Sequence, residues 1–239
     1  MWRRDGVTHA LPINEPATGA ALHGLVHVID WTPTFRSAWA VTLSCWLHAQ
    51  PGYPYELRLG AAYELTDAGL RCTLAAANVG AEAAPFGCGA HPYVGHTGTR
   101  VDDMTLHLPA RTRLVVDERL LPVGRAAVAG TPLDFGGDRR LAGVRLDTTF
   151  TDVRSAADGT TRALVGTPHG VVQLWADESF PWWQVYTSDG FDAGHPRHRR
   201  SLAVEPMTCP PDAFNSGEGL ILLAPGATWR GSWGISVTR

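Results

Sequence analysis

The chain has 239 residues, 44% of them hydrophobic, enough to bury a full core in one large domain or in two. Its formal net charge is -3, so no overall positive field draws it to nucleic acid or to an anionic membrane. All twenty basic residues are arginine, and the four cysteines (Cys45, Cys72, Cys88, Cys209) form no CxxC pair, which argues against a zinc knuckle and a disulfide scaffold alike. The opening MWRRDG has no apolar stretch of the secretory kind, and no apolar run approaches membrane-spanning length; a cytoplasmic protein with reduced thiols is the expectation.

In chain order, strands dominate. The 26 glycines and 17 prolines punctuate the apolar runs at short intervals, which favours an all-β fold over helices of normal length. Residues 7–11 read as a strand with no lead-in, and a sheet that begins so abruptly risks presenting an unpaired edge. Leu25, His27 and Ile29 alternate with Val26, Val28 and Asp30, which predicts a strand buried on both faces for part of its length. Residues 55–59 alternate cleanly, and 63–65 with 70–74 read as a hairpin whose turn uses Asp67 and Gly69. Residues 148–153, 161–165 and 171–175 read as a meander with short turns at Asp158-Gly159 and His169-Gly170. Residues 183–187 and 220–223 are further strands, and 229–237 closes the chain. No helical period persists over three turns, and there is no repeat or clear linker. The reading is a single domain over 1–239 built as a large antiparallel β-sandwich.

Two stretches carry chemistry. In SLAVEPMTCPPDAFNSG (201–217) the acid Glu205 follows an apolar run and precedes Pro206. A carboxylate there loses water on several sides, which raises its pKa toward the range of a general base. Pro206, Pro210 and Pro211 fix φ nearby, predicting a stiff loop; the plainer alternative is a solvated Glu in an irregular one. In APFGCGAHPYVG (84–95) Pro92 pushes His91 toward an extended backbone, and Gly87 and Gly89 let the chain pass close to another backbone or a ligand. Such a histidine can titrate near neutral pH and donate a proton, or can be held structurally in a turn. His23, beside Gly24, has the same two readings.

The stretches ALHGLV, PFGCGAHPYVG, LDTTFTD, WWQVYTSD and AVEPMTCPPDAFNSG, in that order, resemble the aldose 1-epimerase (galactose mutarotase) family, most nearly its bacterial branch with HPY and EPMT motifs. The resemblance runs from about Gly6 to Trp233. It implies a β-sandwich with a sugar bound in a cleft on one sheet, and neither metal nor organic cofactor. Carried over by position, His91 matches the general acid on the ring oxygen and Glu205 the general base at the anomeric hydroxyl. His23 matches a second histidine near the ring oxygen, Asp147 a carboxylate that binds sugar hydroxyls, and Gln184 a polar strand residue lining the site. The chemistry asks for these types. Mutarotation removes a proton from O1 and delivers one to O5, opening the ring; rotation about C1–C2 and re-closure give the other anomer. An acid and a base of similar pKa can exchange roles in each direction.

The family begins with further strands carrying an arginine in an N-R-I type motif, and nothing in MWRRDG matches it. Neither Arg3 nor Arg4 is therefore assigned to substrate, and a truncated or wrongly started version of a longer protein is the expectation. Residues 195–200 form a positive cluster, expected as a solvated loop, with a loop over the cleft favouring an acidic or phosphorylated sugar as its functional alternative. The HPRH spacing lacks a neighbouring carboxylate or cysteine and does not suggest zinc. Asp102 and Asp103 read as loop acids, Trp175, Trp182 and Trp183 as core that includes a stacking platform for a sugar, and Asp152 and Asp177 as further hydroxyl contacts. The expected partner is a small sugar, with no nucleic acid and no membrane. Two functions from different classes follow: an aldose 1-epimerase acting on a free aldohexose, or a non-catalytic carbohydrate-binding β-sandwich. A glycoside hydrolase would need two carboxylates flanking a bond.

Overall fold

The structure, a computed structural model, describes residues 1–95 and 97–238. The strands β1 (Trp2–Arg4) and β2 (Val7–His9) pair as a small ribbon. Then β3 (Thr32–Arg36), β4 (Ala40–Leu47), β5 (Leu57–Thr66) and β6 (Gly69–Asn78) run as an antiparallel meander. After β7 (Ala84–Phe86) and β8 (Tyr93–Val94) come β9 (Thr105–Leu108), β10 (Thr112–Val116), β11 (Pro122–Ala127) and β12 (Phe135–Arg140). These are followed by β13 (Asp147–Thr151), β14 (Thr161–Thr167), β15 (Gly170–Ala176), β16 (Trp182–Tyr186) and β17 (Leu202–Met207). A one-turn helix, α1 (Ala213–Ser216), precedes β18 (Ile221–Leu223) and β19 (Thr228–Thr238).

The strands assemble into two main antiparallel sheets. Six lie in the order β11-β10-β13-β16-β17-β8, and nine in the order β12-β9-β14-β15-β19-β6-β5-β4-β3. Buried side chains of both sheets meet in one cluster: Phe150, Trp183, Val185, Leu202 and Val204 from the first against Leu106, Phe135, Val165, Leu174 and Trp233 from the second. Fully buried Trp183 keeps its indole N–H satisfied by donating to Thr161 Oγ1 at 3.1 Å, which bridges the sheets. A second cluster (Tyr53, Tyr55, Leu57, Leu59, Phe86, Leu223) lies at the other end of the larger sheet and takes in Trp2. The fold is an all-β antiparallel sandwich, as the sequence predicts.

The hairpin turns are the best-predicted feature. β5 and β6 join through Asp67 and Gly69, whose φ of 120 and close approach to the Ile235 carbonyl leave no room for a side chain. A second tight turn, ending at Gly170 with φ 133, joins β14 to β15. Two expectations are corrected. Residues 25–30 are not a strand: His23 and Gly24 both have left-handed backbones, which turns the chain into a coil, and Leu25, Val26 and Ile29 pack singly onto the second cluster. Residues 148–175 are not one meander: Asp152, at φ 54, ends β13, and the chain crosses so that β13 stays in the six-stranded sheet and β14 and β15 enter the nine-stranded one. The first strands do leave unpaired edges, since β1 and β2 pair only with each other, but Trp2 is buried, stacked on Phe214 and donating to the Gly52 carbonyl at 2.8 Å. β3, exposed along its whole length, is one edge of the nine-stranded sheet.

Candidate functional site

Strand register alone brings the predicted polar residues together. Leu202 and Val204 of β17 point into the core, so Ala203 and Glu205 face the other way. Across the ladder Glu205 lies opposite Gln184, and Gln184 opposite Thr149. In the adjacent row Tyr93 lies opposite Ala203, Ala203 opposite Tyr186, and Tyr186 opposite Asp147. Both rows share the outer face of the six-stranded sheet. Glu205 is thus a strand residue, not the loop residue predicted from its proline neighbours. Pro206 is tolerated because its carbonyl, and with it its imide nitrogen, faces the loop at Ala90, whose N–H donates to it at 3.1 Å; no ladder bond to β16 is lost.

The loop before β8 completes the site. It passes close to β17, with Cys88 N–H donating to Thr208 Oγ1 at 2.9 Å and Thr208 N–H to the Cys88 carbonyl at 2.8 Å. Side chains at Gly87 and Gly89 would strike Cys209 and Met207, so the approach needs glycine. It sets His91 Nε2 3.3 Å from Glu205 Oε1, with the ring stacked on Tyr93 at 4.8 Å. Burial pushes the Glu205 carboxyl up to about 8, aided by the charge of Asp147, and burial moves the His91 imidazole down from its ordinary 6.5. At neutral pH the pair therefore holds one proton between a carboxyl and an imidazole.

Asp147 is tied into the same network. Gln184 Nε2 donates to Asp147 Oδ1 at 2.6 Å, and Thr149 Oγ1 donates to Gln184 Oε1 at 2.5 Å, which fixes the amide. Burial raises the Asp147 pKa against the lowering effect of the Gln184 bond, and the charge of Glu15 raises it further. His23 reaches the site from the N-terminal loop, its ring 5.6 Å from that of His91 at an interplanar angle of 64°. That loop is well built. Asn14 exchanges hydrogen bonds with Leu22 at 2.8 and 2.6 Å, Thr18 donates to Glu15 at 2.5 Å, and Arg119 donates to the Thr18 carbonyl at 2.8 Å. All five predicted site residues are thereby collected on one face. The sequence reading missed Glu15, Tyr93, Thr149 and Tyr186; the last three lie two residues from His91, Asp147 and Gln184, the spacing that shares a strand face.

Other expectations fare differently. Residues 195–200 are not simply a solvated loop. Arg199 is buried, at φ 50, and its guanidinium donates to Asp102 (2.9 and 3.2 Å), to Asp189 (2.9 Å) and to the Leu141 and Val144 carbonyls. Asp102 is correspondingly its partner and not a loop acid, with its carboxyl held below the usual range by that guanidinium. Trp182, under the guanidinium of Arg125, and Trp183 are both buried, so neither ring is open as a stacking platform. Asp177 spends its carboxylate on the N–H groups of Ser179 (3.0 Å) and Ser232 (2.6 Å). Arg4 lies over the Tyr55 ring, in the second cluster. Among the described residues no group of three or more His, Cys, Asp or Glu is arranged to hold a metal ion, and no helix is long and apolar enough to cross a membrane.

The family model described as aldose 1-epimerase matches residues 2–236. The chain belongs to the aldose 1-epimerase family. It is 36% identical over 230 residues to the uncharacterized protein YihR of Escherichia coli (strain K12), a match spanning 96% of this chain and 71% of YihR. It is 31% identical over 141 residues to the galactose mutarotase of Homo sapiens, spanning 56% of this chain and 40% of the human protein. Among solved structures, it matches the GalM/aldose epimerase homologue of C. elegans with a TM-score of 0.84 at 19% identity, over 100% of this chain and 78% of that one. It matches galactose 1-epimerase of Lactobacillus acidophilus with a TM-score of 0.75 at 23% identity, over 100% and 76%. These last two likenesses show that the fold is that of aldose 1-epimerase family proteins.

Proposed function

We propose that this protein is an aldose 1-epimerase, interconverting the α and β anomers of a free aldohexose, with His91 as the acid on the ring oxygen and Glu205 as the base at the anomeric hydroxyl. The observation that carries the reading is the 3.3 Å contact of His91 Nε2 with Glu205 Oε1. O1 and O5 hang on the same carbon, so groups within hydrogen-bond reach of each must be near neighbours. A pair that holds one proton always offers a donor and an acceptor. The shared proton rests on Glu205 and passes across the 3.3 Å contact to His91; in that form the pair opens the ring, as Glu205 takes the O1 proton and His91 protonates O5. The proton then rests on Glu205, which returns it to the carbonyl oxygen while His91 takes back the O5 proton, and either face of the aldehyde can be closed upon. Gln184, Asp147 and His23 hold the hydroxyls and the ring oxygen around that carbon.

The test is polarimetry on freshly dissolved α-glucose or α-galactose. The wild-type protein accelerates the approach to equilibrium rotation, and Glu205→Gln or His91→Asn each lowers the rate by roughly 10²–10⁴-fold. Sugar binding without acceleration would instead mark a binding module and sink the reading.

A further inference from the structure

The hydrogen bonds around Asp147 form a chain with a direction. Thr149 stands two residues after Asp147 on β13, so the two share a face of the strand, and Gln184 lies opposite Thr149 on β16. Thr149 is only 4% exposed, and its hydroxyl lies 2.5 Å from Gln184 Oε1; Gln184 Nε2 in turn lies 2.6 Å from Asp147 Oδ1. An amide can be seated either way round, and only one seating turns its donors to the carboxylate. We infer that Thr149 is a positioning residue: its hydroxyl locks the Gln184 amide so that Asp147 is held as a hydrogen-bond acceptor for a sugar hydroxyl. The inference rests on the mutarotase reading for its effect on turnover, but not for the chain of bonds itself.

Three observations carry it. The first is satisfaction. The Thr149 hydroxyl is the donor to Gln184 Oε1, and an apolar side chain there would leave that oxygen without it in part-buried surroundings. The second is polarity. A hydroxyl could equally accept, but with the amide turned over Gln184 Oε1 would face the carboxylate, acceptor against acceptor. The observed seating is the one that a donating Thr149 and an ionised Asp147 favour together, and each bond in such a chain strengthens the next. Oδ1 is engaged by Gln184, which leaves Oδ2 for a sugar hydroxyl. The third is charge, because the groups around Asp147 disagree about it. Burial opposes its ionisation and the Gln184 bond favours it; Glu15 on the N-terminal loop opposes it and His91 favours it. Glu205 on β17 and Tyr93 on β8 feel the Asp147 charge in their turn, and Arg145 and Tyr186 border the same hollow. Among the influences that hold the carboxylate ionised, the amide fixed by Thr149 is the largest.

The experiment compares Thr149→Val, which keeps the branched shape and removes the hydroxyl, with Thr149→Ser, which keeps the hydroxyl and removes the methyl. Thr149→Ala is a second variant without the hydroxyl, used if valine disturbs folding. By polarimetry with glucose or galactose, Thr149→Val raises KM roughly tenfold and leaves kcat nearly unchanged, while Thr149→Ser keeps both near wild type. A role in packing alone gives the opposite order, with Thr149→Val harmless and Thr149→Ser harmful, and that order overturns the inference. A readout free of turnover is the NMR signal of the Gln184 side-chain amide, followed against pH in the Glu205→Gln protein so that the carboxyl opposite it is silent. Asp147→Asn removes the step due to Asp147 and so identifies it. That step moves to higher pH in Thr149→Val and Thr149→Ala, because a bond to the ionised form has weakened, and stays in place in Thr149→Ser. An unmoved step in all three variants overturns the inference even if sugars are epimerised. A step moved in this pattern supports it even if none is.

Discussion

Glu205 sits where its charge is least comfortable, and the consequences can be measured. The His91–Glu205 pair needs one proton to work. Below the lowered pKa of His91, beneath 6.5, a second proton occupies the base; above about 8 the last proton leaves and no acid remains. A rate profile should therefore be a bell with its acid limb below pH 6.5 and its alkaline limb near 8, and His91→Asn should abolish the acid limb. Stability follows the same group with a definite sign. The carboxyl of folded Glu205 titrates near 8 and that of the unfolded chain near 4.5, so its stabilising contribution is complete below pH 4.5 and is lost as pH rises through 8. Glu205→Gln should thus be inactive yet unfold at a higher temperature than wild type at pH 8, with the difference vanishing near pH 4.5; calorimetry at the two pH values checks it. Of this chemistry, the sequence shows the residue types but not their meeting. Glu205, His91, Asp147, Gln184 and His23 come from five distant segments, and only the family resemblance groups them before the sheet does.

At the scale of elements, two devices hold the cleft in shape. One is Arg199, whose guanidinium makes five hydrogen bonds beneath the loop that carries Phe191. Arg199→Leu removes the guanidinium from Asp189, which keeps Thr187 and Arg145, and from Asp102, which is 38% exposed, so the loss is about 2–3 kcal/mol, below the ~3–5 of a fully buried pair; urea unfolding should show it as a fall in midpoint with little change in slope. The other is the tether from Arg119 to the loop before His23. Arg119→Ala should raise KM for sugar several-fold with kcat nearly kept, since His23 is released while His91 and Glu205 stay on their own elements. Neither device is visible in the sequence. Arg199 stands in a run with Arg197 and Arg200 that differs in nothing but burial, and Arg119 lies a hundred residues from its partner. The strands themselves divide by how local their signals are. β5, β6, β14 and β15 announce themselves through glycine turns, whereas β9 to β12 are short and irregular, with a bulge between Phe135 and Arg139. Residues 25–30 imitate a strand because Leu25, Val26 and Ile29 each find the second core from a coil.

For the whole molecule, the four thiols are a built-in reporter of cooperative unfolding. Burial pushes Cys45 and Cys72 up to about 11 and raises Cys88 and Cys209 as well, so little thiolate exists at pH 8. The native protein should react slowly with a disulfide reagent and stoichiometrically once denatured, and fast native labelling would mean that one core cluster opens on its own. The all-β class is legible because glycine and proline spacing leaves no room for helices. Which strand joins which sheet is not, since the crossings depend on single backbone conformations such as that of Asp152.

Pro206 has an effect beyond the loop it faces. A β-ladder slipped by one position presents each residue's opposite side, and the ring would then turn its blocked nitrogen toward β16, where a donor is required. The imino acid directly after Glu205 thus works as a key that fits one alignment only. Pairing these strands one position out of step would therefore cost a ladder hydrogen bond as well as turning Glu205 toward the core.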